Sequence, residues 1–209
     1  FIYDNKEIYL RKLEREELWD MSLVKYKYKN DFWAQVYKND TISALYEPGS
    51  IMKSITVAIW IDTWEINQNS MYLDEWKLTI SDFTIKNVSD ECLWYHTFWH
   101  ALNYSCNVWM IRIVQKLWKR ILYQYFEDFW FWEITGVSLE WEVKTDLWDW
   151  EKWPVSWLLT RSYGLWVSVT QLQMAAAYSV LANGWIYIKP KIVDEIRYPD
   201  WKIVKYKKK

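Results

Sequence analysis

Glycine is scarce in this chain, and tryptophan is unusually abundant. The sequence has 4 glycines and 19 tryptophans in 209 residues, whereas average usage of about 7% would give roughly 15 glycines. Only glycine enters positive φ without steric cost, so turns and helix ends select it. Tryptophan instead occupies positions where turns are expected, namely Trp64, Trp118, Trp130, Trp132, Trp166 and Trp185. We hypothesise that many of these are glycine codons read with the wrong genetic code, UGA being the candidate; the alternative is a genuinely tryptophan-rich protein.

Cysteine is also sparse. Cys92 and Cys106 are too few for a disulfide framework. Cys92, His96 and His100 are spaced at i, i+4 and i+8, which on one continuous helix would align three potential metal ligands. The segment around His96 instead has the pattern of a loop that enters a helix near Thr97, which would separate these ligands. We therefore expect no metal site and no cofactor.

The chain lacks both a strong net charge and a long apolar run. It has 26 basic and 27 acidic residues and a formal net charge of -1, and this balance argues against a nucleic-acid partner. The basic cluster at 202–209 is interrupted by apolar residues and is typical of a strand edge or a frayed end. No segment approaches the roughly 20 apolar residues that span a bilayer, and no signal peptide is recognisable. Any membrane anchor or export signal is expected outside this chain.

Hydrophobic periodicity predicts a mixed α/β fold. Residues 1–29 alternate as half-buried strands do, and 67–90 has the pattern of short strands and turns. Helices are predicted at 50–62, 98–104, 108–117, 121–129 and 170–182, the last opened by a capping box at Thr170. The helix at 50–62 is apolar nearly all round, so it should lie at the centre of the domain. An irregular acidic connection is expected at 136–154, and a hairpin is expected from 186–188 and 191–197.

Ser50 and Lys53 form the most informative pair in the sequence. They stand at the start of the apolar helix, after Glu47-Pro48-Gly49, and a helix places i and i+3 on one face. The Lys53 amine can then reach the Ser50 hydroxyl, provided that burial keeps enough of the amine unprotonated to accept a proton. The pair therefore predicts a serine nucleophile with a lysine base.

A second polar triplet, Ser105-Cys106-Asn107, lies between two predicted helices. The two motifs, followed in order by the segment 164–178, resemble class B penicillin-binding proteins of the elongation and division type, from about Leu18 to the end of the chain. The resemblance implies the penicillin-binding transpeptidase or serine β-lactamase-like fold, with an antiparallel sheet flanked by helices and a helical lobe.

The resemblance also implies a function. It assigns Ser105 to proton transfer and Asn107 to the substrate's amide backbone, beside an acyl-enzyme on Ser50 made from a D-Ala-D-Ala stem peptide. The Ser50 backbone N–H, at a helix start, is expected to form half of the oxyanion hole. The implied partners are peptidoglycan stem peptides, β-lactams and a glycosyltransferase. The implied location is the extracytoplasmic face of the bacterial cell membrane.

Three departures from the family pattern stand out. No Lys-Thr-Gly motif follows the 170–182 helix, so we expect 1–209 to be a partial transpeptidase domain that ends before it and is inactive as it stands. We also expect the extended pedestal and membrane anchor typical of class B members to lie outside this chain. Trp109 and Trp166 replace small residues in segments expected near the cleft, where an indole would compete with substrate for space.

Two other function classes remain open. A serine β-lactamase shares both motifs but needs a deacylating base, for which Glu140 and Glu142 are the available candidates; a penicillin-sensing domain would acylate without turnover. A glycan-binding or scaffolding module is the non-enzymatic alternative, since exposed Trp and Tyr can stack on sugars. Such modules are usually all-β, whereas 98–129 is predicted to be helical.

Overall fold

The computed structural model describes residues 10–12, 26–28, 38–64, 66–67, 69–80, 83–145 and 149–205. The chain divides into two compact units, residues 1–40 and 41–209. In the first unit, β1 (Leu10–Lys12) pairs antiparallel with β2 (Tyr26–Tyr28), with Leu10 opposite Tyr28. These strands agree with the prediction for 1–29, and the remainder of that segment lies outside the described residues.

Seven helices occur in the described ranges. They are α1 (Asp40–Ser43), α2 (Met52–Asp62), α3 (Phe98–Asn103), α4 (Asn107–Val114), α5 (Lys119–Asp128), α6 (Val155–Arg161) and α7 (Gln171–Ala182). The five predicted helices are confirmed within a few residues, including the capping box between Thr170 and Gln173. Helices α1 and α6 were not predicted. None of these helices is long and apolar enough to cross a bilayer.

Short antiparallel ribbons form the β structure of the second unit. Strand β3 (Met71–Asp74) pairs with β6 (Trp94–Thr97), β4 (Lys77–Ile80) with β5 (Phe83–Lys86), and β7 (Glu195–Arg197) with β8 (Ile203–Lys205). The predicted hairpin at 186–197 is wrong in its pairing, because 195–197 pairs forward with 203–205. Pro190 supplies no N–H for a ladder, which disfavours a strand there.

Helix α2 lies at the centre of the core, as predicted. Its side chains Met52, Ile55, Ile59 and Trp60 are 0% exposed. The Trp60 ring meets the Trp109 ring of α4 edge to face, with centroids 5.6 Å apart. Because α2 is covered along most of its length, its first turn is a rigid platform for the residues that precede it.

Left-handed backbone is frequent, and much of it falls on tryptophan. Among the described residues, positive φ occurs at Trp64, Trp76, Trp94, Trp130, Trp141, Trp166, Trp185 and Trp201. Four of these positions were predicted from the sequence. The same expectation is wrong for Trp118, which precedes α5 with φ -73°, and for Trp132, which has no positive φ.

Candidate active site

The Lys53 amine is the centre of a buried polar cluster. The Lys53 residue is only 1% exposed, and its Nζ donates to the Ser105 backbone oxygen (2.6 Å), to Ser105 Oγ (2.9 Å) and to Asn107 Oδ1 (2.7 Å). A buried amine needs such partners, since an unpaired charge in the core is costly. The structure thus brings three of the four predicted site residues together.

Burial lowers the pKa of the Lys53 ammonium to about 8. The physical cause is desolvation, which disfavours the charged form of a lysine. A lysine with this pKa is partly neutral near neutral pH, as a general base requires.

Ser50, the fourth predicted residue, lies in a 3₁₀ turn (Gly49–Ile51) that leads directly into α2. The residue is exposed, three positions ahead of Lys53. The hydrogen bonds of the Lys53 amine go to Ser105 and Asn107 rather than to Ser50. The expected contact between nucleophile and base is therefore not formed in this state, although Ser50 stands only three positions before Lys53.

Backbone contacts from the segment 164–169 hold the chain that leads to Ser50. Tyr46 and Val169 exchange two hydrogen bonds, of 2.9 and 3.1 Å. The Gly49 N–H donates to the Gly164 carbonyl at 3.0 Å, and a Cβ on Gly164 would lie 2.2 Å from the Gly49 oxygen. Only glycine allows this approach, so Gly164 fixes the position of the Ser50 turn.

Side chains complete this support. Glu47 Oε1 accepts a hydrogen bond from the Trp166 N–H at 2.9 Å, and the Tyr178 hydroxyl of α7 donates to the Ile51 carbonyl at 2.6 Å. The turn that carries Ser50 is therefore tied to two separate parts of the chain. The segment 164–178, the last of the three motifs in the sequence, thus contacts the turn that carries the first motif.

Ser105 owes its position to a helix-ending motif. After α3, the Ser105 N–H donates to Leu102 O (3.2 Å) and the Cys106 N–H donates to Ala101 O (2.8 Å). These are the two bonds of a Schellman motif, which requires left-handed backbone at the residue after the cap. Ser105 occupies that residue with φ 57°, and its carbonyl and hydroxyl both face Lys53.

A disulfide joins Cys92 to Cys106, the middle residue of the triplet. Both cysteines are 0% exposed. Two cysteines are too few for a disulfide framework, as expected from the sequence, but they still form this single bond, which the sequence analysis did not predict. It fixes the residue between Ser105 and Asn107 to the turn that precedes β6.

Asn87 is a supporting residue that the sequence reasoning missed. Its Oδ1 accepts from the N–H groups of Asn107 (2.7 Å) and Val108 (2.9 Å), while its Nδ2 donates to Asp74 Oδ1 (2.9 Å). Cys106, the N-cap residue just before α4, provides no side-chain cap, so Asn87 caps this helix from the position that follows β5. Nothing in the local sequence signals a cap that comes from 20 residues away in the chain.

Asp74 anchors Asn87 and is only 1% exposed. Burial raises the pKa of its carboxyl, while its hydrogen bonds to Asn87 and to the Trp76 N–H act in the opposite direction. The chain of contacts from Asp74 through Asn87 to Asn107 links the β3–β5 region to the Lys53 cluster. These residues position the cluster without facing the solvent.

The potential metal ligands are not assembled into a site. Cys92 is committed to the disulfide, and β6 ends at Thr97 where α3 begins, so the predicted break between the ligands is confirmed. The rings of His96 and His100 stack with centroids 3.9 Å apart. No group of three or more metal-binding side chains occurs in the part of the chain that the structure describes.

The two tryptophans expected near the cleft differ in placement. Trp109 is 1% exposed and packs on Trp60, Tyr72 and Phe98. The expectation that its indole competes with substrate for space is therefore wrong, because the ring faces the core from α4. Trp166 is 59% exposed on the segment that supports Ser50, so its indole faces solvent.

Of the two candidate deacylating carboxylates, Glu142 has a clear structural task. Its carboxylate accepts hydrogen bonds from Thr135 N–H (2.6 Å), from Thr135 Oγ1 (2.5 Å) and from Gly136 N–H (2.9 Å). These contacts occupy both oxygens and close the loop 135–142. Glu140 is exposed. The described contacts connect neither residue to the Lys53 cluster.

Comparison with known proteins identifies the family. The profile described as penicillin binding protein transpeptidase domain matches residues 15–209. The chain belongs to the penicillin-binding protein transpeptidase family. The profile confirms the family inferred from Ser50, Lys53 and the Ser105 triplet, and the relatives and solved structures described next confirm the class B assignment and the fold class. Membership of this family also favours an enzyme over a glycan-binding module.

Curated relatives in this transpeptidase family carry names from division and sporulation. Stage V sporulation protein D of Bacillus subtilis is 28% identical over 159 residues, which cover 76% of this chain and 25% of that protein. A peptidoglycan D,D-transpeptidase FtsI homolog of Mesostigma viride is 27% identical over 180 residues, which cover 78% of this chain and 29% of that protein. This chain thus spans about a quarter of the length of these relatives.

Solved structures support the same fold. A peptidoglycan synthetase from Bifidobacterium adolescentis superposes with a TM-score of 0.79 at 21% identity, covering 89% of this chain and 34% of that one. Penicillin binding protein 3 of Mycobacterium tuberculosis, in complex with aztreonam, gives a TM-score of 0.77 at 21% identity, covering 81% and 38%.

Proposed function

We propose that this chain is the nucleophile-bearing part of a serine-type peptidoglycan D,D-transpeptidase. The observation that carries the proposal is the buried Lys53 amine, which contacts Ser105 and Asn107 one helical turn from Ser50. Family membership narrows the reaction class to acyl transfer. The name of one relative, a peptidoglycan D,D-transpeptidase homolog, indicates peptidoglycan as the substrate class, and we propose a stem peptide that ends in D-Ala-D-Ala, as the family resemblance implies.

In the proposed reaction, Ser50 Oγ attacks the carbonyl carbon of the penultimate residue of the stem peptide. Lys53, in its neutral form, accepts the Ser50 proton, and the proton passes through Ser105 to the amine of the departing D-Ala as the C–N bond breaks. An acceptor amine then attacks the ester, forms the cross-link and returns a proton to Ser50 by the same route.

Asn107 is proposed to hold the amide backbone of the substrate. Its Nδ2 donates to the Lys86 carbonyl at 3.0 Å, and its Oδ1 accepts from Lys53 at 2.7 Å. The Ser50 N–H lies in the first turn of a helix, where N–H groups lack partners within the helix. We propose that it stabilises the oxyanion.

The same proposal covers partners and location. A β-lactam would acylate Ser50 in place of the stem peptide, as the aztreonam complex of the Mycobacterium tuberculosis protein suggests. Cross-linking takes place where peptidoglycan is assembled, on the extracytoplasmic face of the bacterial membrane. A glycosyltransferase that supplies the glycan strands is the expected protein partner.

A fluorescent penicillin tests the proposal on the full-length gene product. Ser50→Ala should abolish covalent labelling, and Lys53→Ala should slow it by 100-fold or more, since positioned general bases contribute roughly 10² to 10⁴-fold. Ser54→Ala, on the same helix and only partly buried, is the matched control and should label normally. Labelling that survives Ser50→Ala would refute the proposal, and rapid loss of the label would instead indicate a β-lactamase.

A further inference from the structure

Tryptophan and glycine share one backbone conformation in this chain. Eight of the ten non-glycine residues with positive φ in the described ranges are tryptophan, with φ between 57° and 80°. All four glycines of the chain, Gly49, Gly136, Gly164 and Gly184, have φ between 57° and 82°. A bulky residue in this region is a genuine outlier, and a cluster of eight identical outliers needs a common cause.

The turn after α5 shows why such a position selects glycine. The Trp130 N–H donates to Glu127 O at 2.8 Å, and the Phe131 N–H donates to Phe126 O at 3.3 Å. These two bonds define a Schellman motif, in which the residue just past the cap is left-handed and is usually glycine. Trp130 occupies that position with φ 60°.

The loop between β7 and β8 gives a second, independent case. The Trp201 N–H donates to Tyr198 O at 3.0 Å, and the Tyr198 N–H donates to Lys202 O at 2.9 Å. This is a three-residue hairpin loop, whose last residue is left-handed and forms a bulge that favours glycine. Trp201 has φ 66° there.

The tryptophan side chains are mostly exposed, although Trp130, Trp166 and Trp185 each lie against one neighbouring ring. Trp64 is 91% exposed and Trp201 is 93% exposed, and five more of the eight residues are at least 42% exposed. Trp76 is the partly buried exception. The fold thus requires the left-handed backbone at these sites but makes little use of the indoles.

We infer that these eight positions carry glycine in the protein that the cell makes, through UGA codons that the cell decodes as glycine. UGA differs by a single base both from the tryptophan codon UGG and from the glycine codon GGA. One reassigned codon therefore explains the excess of tryptophan, the shortage of glycine and the left-handed φ values together. The inference does not depend on the proposed function.

The inference concerns the active site as well. Position 166 donates its N–H to Glu47, beside the turn that carries Ser50. Glycine at 166 keeps this backbone contact and removes an indole from the support segment. The backbone support of the Ser50 turn then includes the Gly49–Gly164 contact and a third glycine at position 166.

Trp153 supplies the matched control. It is 2% exposed, its φ is -67°, and the Arg161 guanidinium lies 3.9 Å from its ring centroid. Its backbone and its packing both suit tryptophan. It should therefore be tryptophan in the cellular protein, encoded by UGG.

The first experiment reads the codons and the protein from the source organism. The gene should have UGA at the eight positions, and peptide mass spectrometry of the purified protein should give glycine there and tryptophan at 153. UGG codons at the eight positions, or peptides that contain tryptophan at them, would overturn the inference.

The second experiment compares two recombinant full-length proteins, with tryptophan or with glycine at the eight positions. Each replacement should raise the ratio of folded to unfolded protein roughly fivefold, and together they should raise Tm on the order of 10–20 °C. Trp153→Gly should lower Tm. If the tryptophan version fails to fold and the glycine version folds, that outcome also supports the inference. An equal or lower Tm of the glycine version would overturn it.

Discussion

The pKa of Lys53 leads to a quantitative prediction about the pH dependence of acylation. With a pKa of about 8, roughly a tenth of the Lys53 amine is neutral at pH 7, whereas an ordinary lysine would be only about 0.03% neutral. Burial of the amine therefore increases the reactive form roughly 300-fold. If neutral Lys53 is the base, the rate constant for acylation should rise about tenfold per pH unit up to pH 7 and level off above pH 8.

The assay is stopped-flow labelling with a fluorescent penicillin from pH 6 to pH 10, with the folded state checked by circular dichroism at each pH. Lys53→Arg keeps the positive charge but cannot lose its proton in this range, so it should remove the pH-dependent rise. A flat profile for the unsubstituted protein, or an inflection near the ordinary lysine value, would refute the assignment of Lys53 as a buried base.

The same group makes a prediction about stability whose sign follows from proton binding. Because the folded pKa of Lys53 is lowered, the unfolded chain binds more protons between about pH 8 and pH 10.5. The cost of burying the ammonium is fully present below pH 8 and is relieved as the pH rises through this window. Relative to Lys53→Met, the protein should gain roughly 3 kcal/mol of unfolding free energy across it, measured by urea denaturation. If the difference in unfolding free energy between the two proteins stays constant across this pH window, the burial of a charged amine is contradicted.

Three further predictions concern the support of the site. Asn87→Ala leaves two N–H groups unpaired at the start of α4. The substitution should lower the free energy of unfolding by about 2 kcal/mol, measured by urea denaturation, and should slow acylation. A folded variant that acylates at the normal rate would show that the cap does not support the site. Replacing Cys92 and Cys106 by alanine removes a link across 14 residues, so the free energy of unfolding should fall by about 3 kcal/mol. An unchanged Tm would contradict this prediction. Ser105→Gly keeps the left-handed backbone but removes the hydroxyl, so Tm should hold or rise while acylation falls by at least tenfold; normal acylation would exclude the hydroxyl from proton transfer.

Local patterns were sufficient to predict the parts of the fold whose cause is local. The apolar run after Ser50 produces a buried helix, and Thr170 with Gln173 forms a capping box through side chains three residues apart. The placement of Ser50 one helical turn before Lys53 also follows from helix geometry, although the Lys53 amine bonds to Ser105 and Asn107 rather than to Ser50. In each case the interaction that fixes the structure lies within one or two helical turns of sequence.

Contacts between distant segments could not be predicted in the same way. The cap on α4 comes from Asn87, and the link to Cys106 comes from Cys92. A single sequence contains no signal for these partners, because each depends on which segments the fold brings together. The supporting residues of the site were therefore missed, although three of the four site residues lie in one cluster.

Left-handed residues explain why the site depends so strongly on these distant contacts. Gly49, Gly164, Trp166 and Ser105 all have positive φ, and all four lie within or directly beside the Ser50 turn and the Lys53 cluster. Such backbone persists in a non-glycine residue only where the surrounding structure imposes it. At Ser105 the hydroxyl contact to Lys53 gives a reason to tolerate the cost, and the disulfide at Cys106 helps to impose the conformation. At Trp166 no comparable side-chain contact to the cluster exists in the described residues, so the same reasoning that retains serine at 105 favours glycine at 166.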